Sequence, residues 1–316
     1  MIEYCKKQQK KEALPCFTEI SADISEKNTE KGSVRSASTV DSPALTVTEA
    51  AAWAAASSAA SAARVSISPL LSRSWRRSKG RSGALRPTIF SSRIFRIFYT
   101  YADVNTLRER YDAALIDERI KVLAIGTRPD CIDEEIAELI ASYKKRVDIW
   151  VELGLQSASD ETAERINRGY KTEIFDRALK ILDRHRIPVV AHVIFGLPGE
   201  GDAEIEATVD FLSRRELFGV KIHSIYVMQG TRLADMYRRG EYEPPTLEKY
   251  AAWVGCALSR LSPEVVIHRI TGDCPRDALV APEWNSDKHA IIGKIKDYME
   301  ENSLFQGKYY EKPSRG

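Results

Sequence analysis

The sequence predicts an α/β fold of the barrel or partial-barrel kind, confined to the chain beyond about residue 100. Three observations carry this. Apolar runs of strand length alternate with amphipathic stretches of helix length, and such alternation means parallel strands joined by crossover helices. The strand–helix unit recurs at about 35 residues, a spacing that suits a barrel. The text before residue 100 has a different composition.

The elements follow in order. Strands are expected at 122–126, 148–155, 189–195, 219–227 and 265–270. Helices are expected at 105–115, 133–144, 160–167, 171–184, 202–215, 247–261 and 289–302. Ile136, Leu139 and Ile140 give the second helix a period near 3.6, and Ser159 is placed to cap the third. Residues 1–31 are polar, with one helix expected around 21–27. Residues 32–99 are expected to be disordered: 50–63 is almost pure Ala and Ser with one Trp, and Ser72 to Arg81 is Arg/Ser text. The expected divisions are 1–31, 32–99, a core at 100–240 and a C-terminal extension at 241–316.

Charge separates the same parts. The chain has a net charge of only +2, yet residues 1–100 hold 16 Lys/Arg against 8 Asp/Glu, and residues 101–316 hold 31 against 37. No apolar run is long enough to span a membrane, and Glu3, Lys6, Lys7, Lys10 and Lys11 do not read as a secretory signal. Cys5, Cys16, Cys131, Cys256 and Cys274 are odd in number and scattered, against a disulfide framework. A cytoplasmic location without membrane contact is expected. The basic run at 72–81 carries charge suited to nucleic acid but no interleaved aromatics beyond Trp75, so a nucleic-acid partner is not supported.

Four strand ends carry polar text inside apolar runs: Gly126-Thr127-Arg128-Pro129-Asp130; Glu152-Leu153-Gly154-Leu155-Gln156-Ser157; His192 to Glu200; and His223 to Val227, running to Gly230-Thr231. Buried polar groups are costly without partners. Any one of Glu152, Gln156, His192 and His223 alone reads as an ordinary core network. Together, at successive strand ends, they read as a site.

Glu152 to Ser157, followed by Ile166-Asn167-Arg168-Gly169 and Gly196-Leu197-Pro198-Gly199-Glu200, resembles the radical S-adenosylmethionine (radical SAM) superfamily. Its core resembles that of the elongator catalytic subunit, MiaB and NifB, and it is most similar to the YhcC/YtqA-type branch. The resemblance runs from about 101 to 309 and takes in Val266-Ile267-His268-Arg269-Ile270 and Leu279 to Trp284. It implies a partial (β/α)6 TIM-type barrel, here with its first strands missing or disordered and a short C-terminal extension. It also implies a 4Fe-4S cluster at the mouth, SAM on the unique iron, and reductive cleavage to a 5′-deoxyadenosyl radical, with an electron donor as partner and an unknown substrate. By position, Glu152, Gln156, Arg168, His192, Gly196 and Glu200 are the implied SAM-binding residues. Arg168 would pair with the methionine carboxylate, His192 stands where relatives often carry Asp toward the ribose, and Gly196 to Glu200 resembles the adenine turn. Relatives often carry Glu where this chain has Gly126.

The cluster text is missing. The branch pattern is Cys-Pro-Asn-Arg-Asp-Gly followed by Gly-Gly-Cys-x-Phe-Cys, and no such run occurs here. Codons read one base earlier across Ala44-Leu45-Thr46-Val47-Thr48-Glu49 can spell Cys-Pro-Asn-Arg-Asp-Gly. In the same frame Ala56 and Ala59 can become Cys and Ser58 Phe. Ala44, Ala56 and Ala59 lie 12 and 3 positions apart, the spacing of the branch. Thr39 to Ser42 can read Asp-Gly-Gly-Phe, and Ser92-Arg93 can read Phe-Gln. Residues from roughly 32 to 98 are therefore expected to be an out-of-frame translation, a frameshift. The chain as written is expected to bind no cluster, to have no metal ligands and to be inactive. The alternative is a non-catalytic α/β binding module with a basic disordered arm. No methyltransferase Gly-rich loop after a first strand points to a cluster-independent SAM enzyme.

Overall fold

The computed structural model describes residues 90–94, 100–117, 120–272 and 277–312. The helix expected around 21–27 and most of the 32–99 segment lie outside them.

Six strands form one all-parallel sheet. They are β1 (Phe90–Ile94), β2 (Ile120–Thr127), β3 (Asp148–Gln156), β4 (Val189–Phe195), β5 (Gly219–Ser224) and, after a two-residue β6 (Val227–Met228), β7 (Val266–Arg269). The order is β1-β2-β3-β4-β5-β7. Each strand pairs with its predecessor in the sheet, so the crossovers step one way round, and the sheet is an open half-barrel rather than a doubly wound one.

The crossovers carry the helices. They are α1 (Val104–Ala114), α2 (Glu134–Ser142), α3 (Asp160–Arg165), α4 (Thr172–Arg184), α5 (Asp202–Ser213), α6 (Arg232–Arg238), α7 (Leu247–Arg260) and α8 (Lys288–Glu301). Asp103, Asp133, Ser159, Thr231, Thr246 and Asp287 cap α1, α2, α3, α6, α7 and α8 by accepting bonds from first-turn amides. Along β3, Ile149, Val151, Leu153 and Leu155 join the helix-side core with Phe175, Ala178 and Leu182 of α4. The alternate residues Glu152, Gly154 and Gln156 therefore share the opposite, inner face.

Three elements depart from expectation. β1 falls inside 32–99, expected to be disordered; its parallel pairing with β2, Ser91 opposite Val122 through Ile94 opposite Ile125, extends the sheet by a strand on that side. The strand expected over 219–227 ends at Ser224, where the Ile225 amide turns to the Phe195 carbonyl at 3.2 Å. Val227–Met228 then pairs antiparallel with β8 (Leu279–Ala281) in a second small sheet. Helix α6 was not expected; Thr231 caps it and Leu233 and Ala234 anchor it in a small apolar cluster with Ile194, Leu197 and Ile225. The 241–316 segment is more than an appendage, because β7 within it completes the main sheet.

Candidate functional site

The inner face carries a buried polar row. Glu152, 1% exposed, accepts a hydrogen bond at Oε2 from His192 Nε2 at 2.9 Å and pairs through the same oxygen with Lys221 Nζ. Its Oε1 accepts from Trp150 Nε1 at 3.2 Å. The register builds this group: His192 lies opposite Lys221, and Gly126 and Gly154 lie opposite Glu152 and His192. Burial opposes the Glu152 charge, but the His192 hydrogen bond and the Lys221 ammonium outweigh it and hold the carboxyl well below the usual range. Burial, and then the Lys221 charge, push His192 down and keep it neutral, although Glu152 pulls the other way. Neutral His192 bonded to a carboxylate through Nε2 keeps its proton there, leaving Nδ1 as an acceptor. His223 lies two residues beyond Lys221, its ring 5.4 Å from that of His192. Both its ring nitrogens are buried without a partner.

Trp150, Phe218 and His268 lie toward the N-terminal end of the same face, with ring centroids 5.6–6.0 Å apart. They form a floor beneath the polar row.

A second layer sits at the C-terminal strand ends. Gln156 closes β3 at a φ of 59°, in the left-handed region, and the Tyr170 hydroxyl reaches its Oε1 at 3.1 Å and the Gly154 carbonyl at 3.0 Å. Arg168, 1% exposed, holds this turn. Its Nε donates to Tyr170 O, Nη1 to Leu155 O and Ser157 O, and Nη2 to Thr172 Oγ1 and Asp160 Oδ1, over 2.6–3.3 Å. A guanidinium has five N–H donors, and all five are engaged within the protein, so a methionine carboxylate at Arg168 would have to displace one of these acceptors. The Tyr170 ring contacts two guanidiniums, Arg168 at 4.7 Å and Arg128 at 4.9 Å from its centroid. Arg128 is itself paired with Asp130.

The Gly196–Glu200 turn adjoins this layer. Gly196 has φ 94°, a Cβ there would meet Ile225 and Pro245 at 2.9 Å, and its carbonyl accepts from the Tyr242 hydroxyl at 2.7 Å. The smallness of Gly196 thus serves packing. Glu200 Oε2 accepts from the Leu197 amide at 3.2 Å, while Oε1 is sealed from solvent without a partner. Burial pushes Glu200 up to about 7, against the Ser157 and Leu197 hydrogen bonds.

The sequence-derived residues thus fall into two layers, Glu152 with His192, and Gln156 with Arg168, Gly196 and Glu200. Sequence reasoning missed Lys221 and Tyr170. Lys221 was legible: with His223 it places two polar side chains at alternate positions of an apolar strand.

Among the described residues the cysteines are Cys131, in the turn after β2, and Cys256, buried in α7. No group of three or more His, Cys, Asp or Glu there is placed to hold a metal. The described residues do not fit a 4Fe-4S cluster, which needs convergent thiolates.

The half-barrel has counterparts among known proteins. Residues 92–212 match the Radical SAM superfamily and residues 218–301 match the Radical_SAM C-terminal domain. The chain is 32% identical over 213 residues to YtqA of Bacillus subtilis, covering 67% of this chain and 66% of that protein. It is 33% identical over 215 residues to YhcC of Escherichia coli, covering 68% and 69%. The match thus spans about two thirds of these relatives. The archaeal Elp3 of Methanocaldococcus infernus, with an N-terminal deletion, superposes with a TM-score of 0.60 at 24% identity over 69% of this chain and 55% of that one, a likeness of fold. The chain belongs to the radical SAM superfamily, in its YhcC/YtqA-type branch. No helix among the described residues is long and apolar enough to cross a membrane.

Proposed function

We propose that this chain is a radical SAM protein that keeps the cofactor-facing half-barrel of its family but, as written, lacks the thiolates that would hold the cluster. The observation that carries the reading is the placement of cysteine. The nearest two of the five, Cys5 and Cys16, are 11 positions apart, whereas a cluster loop needs three within a short run. The superfamily match starts only at residue 92, near the end of the segment whose alternative frame spells the missing motif, and this supports a frameshift.

In the family the cluster supplies the electron that cleaves SAM; this chain's own residues have more limited roles. Gln156, His192 and the Gly196–Glu200 turn are the groups on which SAM binding would rest, with Arg168 holding the Gln156 turn in place. His192 Nδ1 offers a ribose hydroxyl the same kind of acceptor that Asp offers in relatives. Affinity should be low, since cluster ligation anchors the methionine end.

The test is anaerobic iron–sulfide reconstitution of the written chain beside one with the frame restored across codons 32–98. The written chain should stay colourless and form no 5′-deoxyadenosine with dithionite. The restored chain should turn brown and cleave SAM. About four irons per monomer in the written chain would defeat the reading, and a colourless restored chain would count against the proposed cluster motif.

A further inference from the structure

We infer that Lys221 is a positioning residue: it holds Glu152 as a carboxylate, and through Glu152 it fixes His192 as a hydrogen-bond acceptor at Nδ1. The state of the ring follows from this chain's own contacts. What the acceptor serves, a hydroxyl-bearing ligand such as the SAM ribose, rests on the proposed function.

His192 Nε2 and Glu152 Oε2 lie 2.9 Å apart, so a proton sits between them, on the ring or on the acid. The Lys221 ammonium bonds the same Oε2, and the Trp150 indole donates to Oε1. An ammonium and an indole can only donate, so both oxygens are met by donors. Protonating Oε2 would end an ion pair whose lysine side chain is 5% exposed and whose carboxylate is fully buried, and breaking such a pair is costly. Glu152 therefore accepts, and the ring carries its proton on Nε2. Nδ1 then keeps its lone pair, and it has no hydrogen-bond partner among the described residues. The register builds the arrangement: β4 lies between β3 and β5, with Lys221 opposite His192, so Lys221 reaches across β4 to the carboxylate. The other groups acting on the ring are His223 of β5, 5.4 Å away between centroids, and Arg269 of β7. Burial and the Lys221 charge press the ring toward neutrality as well.

Without the ammonium, Glu152 would be a buried carboxylate with two neutral donors, and one proton taken from solvent would neutralise the group. If that proton stays on Glu152, its O–H donates to Nε2 and the ring carries its own proton on Nδ1. If it moves to the ring, an imidazolium pairs with the carboxylate. Nδ1 is protonated in both cases, so the acceptor is lost.

The test is ¹⁵N-histidine NMR of the full chain from about pH 6 to about pH 8, where an unconstrained imidazole titrates. His192→Asn assigns the ring signals, and neither iron nor SAM is added. The parent should show the neutral Nε2–H pattern, unchanged across the range. Lys221→Met should lose that pattern and show a protonated Nδ1 at the lower end of the range, and Lys221→Arg should retain it. Arg269→Gln removes a charge but no bond to Glu152, and should leave the pattern as in the parent. If Lys221→Met does not fold, Lys221→Gln, which keeps a donor without the charge, takes its place. The inference is overturned by a parent ring that is protonated on Nδ1 or titrates in this range. It is equally overturned by an Nε2–H pattern that survives loss of the Lys221 charge, or by one that Arg269→Gln abolishes. Failure to bind SAM would strike the proposed function and leave these signals unchanged, whereas failure here leaves the cluster reading as it stands.

Discussion

The Glu152 carboxylate and the His192 imidazole meet at 2.9 Å across adjacent parallel strands, with Lys221 closing on the same oxygen. This is a charge-neutral group assembled from three consecutive strands of the half-barrel, so it couples the sheet's registers to one another. Removing one member of a buried ion pair leaves the other uncompensated, at about 3–5 kcal/mol. Glu152→Gln should lower the unfolding free energy by an amount near the lower end of that range, since the amide keeps some of the hydrogen bonding. Urea denaturation at pH 7 measures it.

The pH dependence follows from the same carboxylate. The folded pKa of Glu152 is depressed, below an unfolded value of about 4.3. Its contribution is therefore fully present above that value and is lost as pH falls. The unfolding free energy should decline between about pH 5 and pH 3, and Glu152→Gln should flatten that decline. An unchanged slope in the variant would contradict the pairing.

Glu200 has the opposite sign. Its folded pKa is raised to about 7, so the folded chain holds a proton that the unfolded chain gives up near pH 4.3. Its protonation stabilises the fold at low pH, and that contribution falls away as pH rises toward 7. Glu200→Gln should match the parent below about pH 4, where the carboxyl is protonated in both states, and melt higher than it at pH 8, as read by thermal unfolding at the two pH values.

Arg168→Ala removes five donors from the turn that follows β3. It should cost about 2–4 kcal/mol of stability, since several carbonyls lose a charged donor but regain water. In a frame-restored protein it should also weaken SAM binding by about 1.5–3 kcal/mol, measured by calorimetry. Arg168→Lys keeps the charge but not the fork. If Arg168 acts by holding the turn, Lys should not rescue either quantity; if it acts as a charge toward SAM, Lys should rescue the affinity.

Gly199→Ala places a Cβ 1.9 Å from Arg165 Nη1 at a φ of 78°. Arg165 must then release the Pro198 carbonyl it holds at 2.9 Å. A loss of about 1–3 kcal/mol is expected from the strained backbone and the broken bond, readable in chemical denaturation.

The core strands were legible because each carries an apolar helix-side stripe, as in Ile149, Val151, Leu153 and Leu155. The site was legible where a polar residue interrupts such text, as at Glu152 and His192. Arg168 was legible as important but not in its role: sequence spacing gives no account of which carbonyls converge on a guanidinium. Lys221 was legible as a polar interruption two residues from His223, but not in its role, since only the register against His192 puts it on Glu152. β1 was not legible because its residues, Phe90 to Ile94, lie in text whose composition argued against order, and it takes its place by pairing with β2. The break at Ser224 depends on contacts to Gly272 and Asn285, far along the chain.

The Trp150 indole donates to the Glu152 carboxylate and lies against the His268 ring. Its emission should therefore follow the charge state of the buried polar row, and the difference in fluorescence between the parent chain and Trp150→Phe gives an optical reading of that row without any added label.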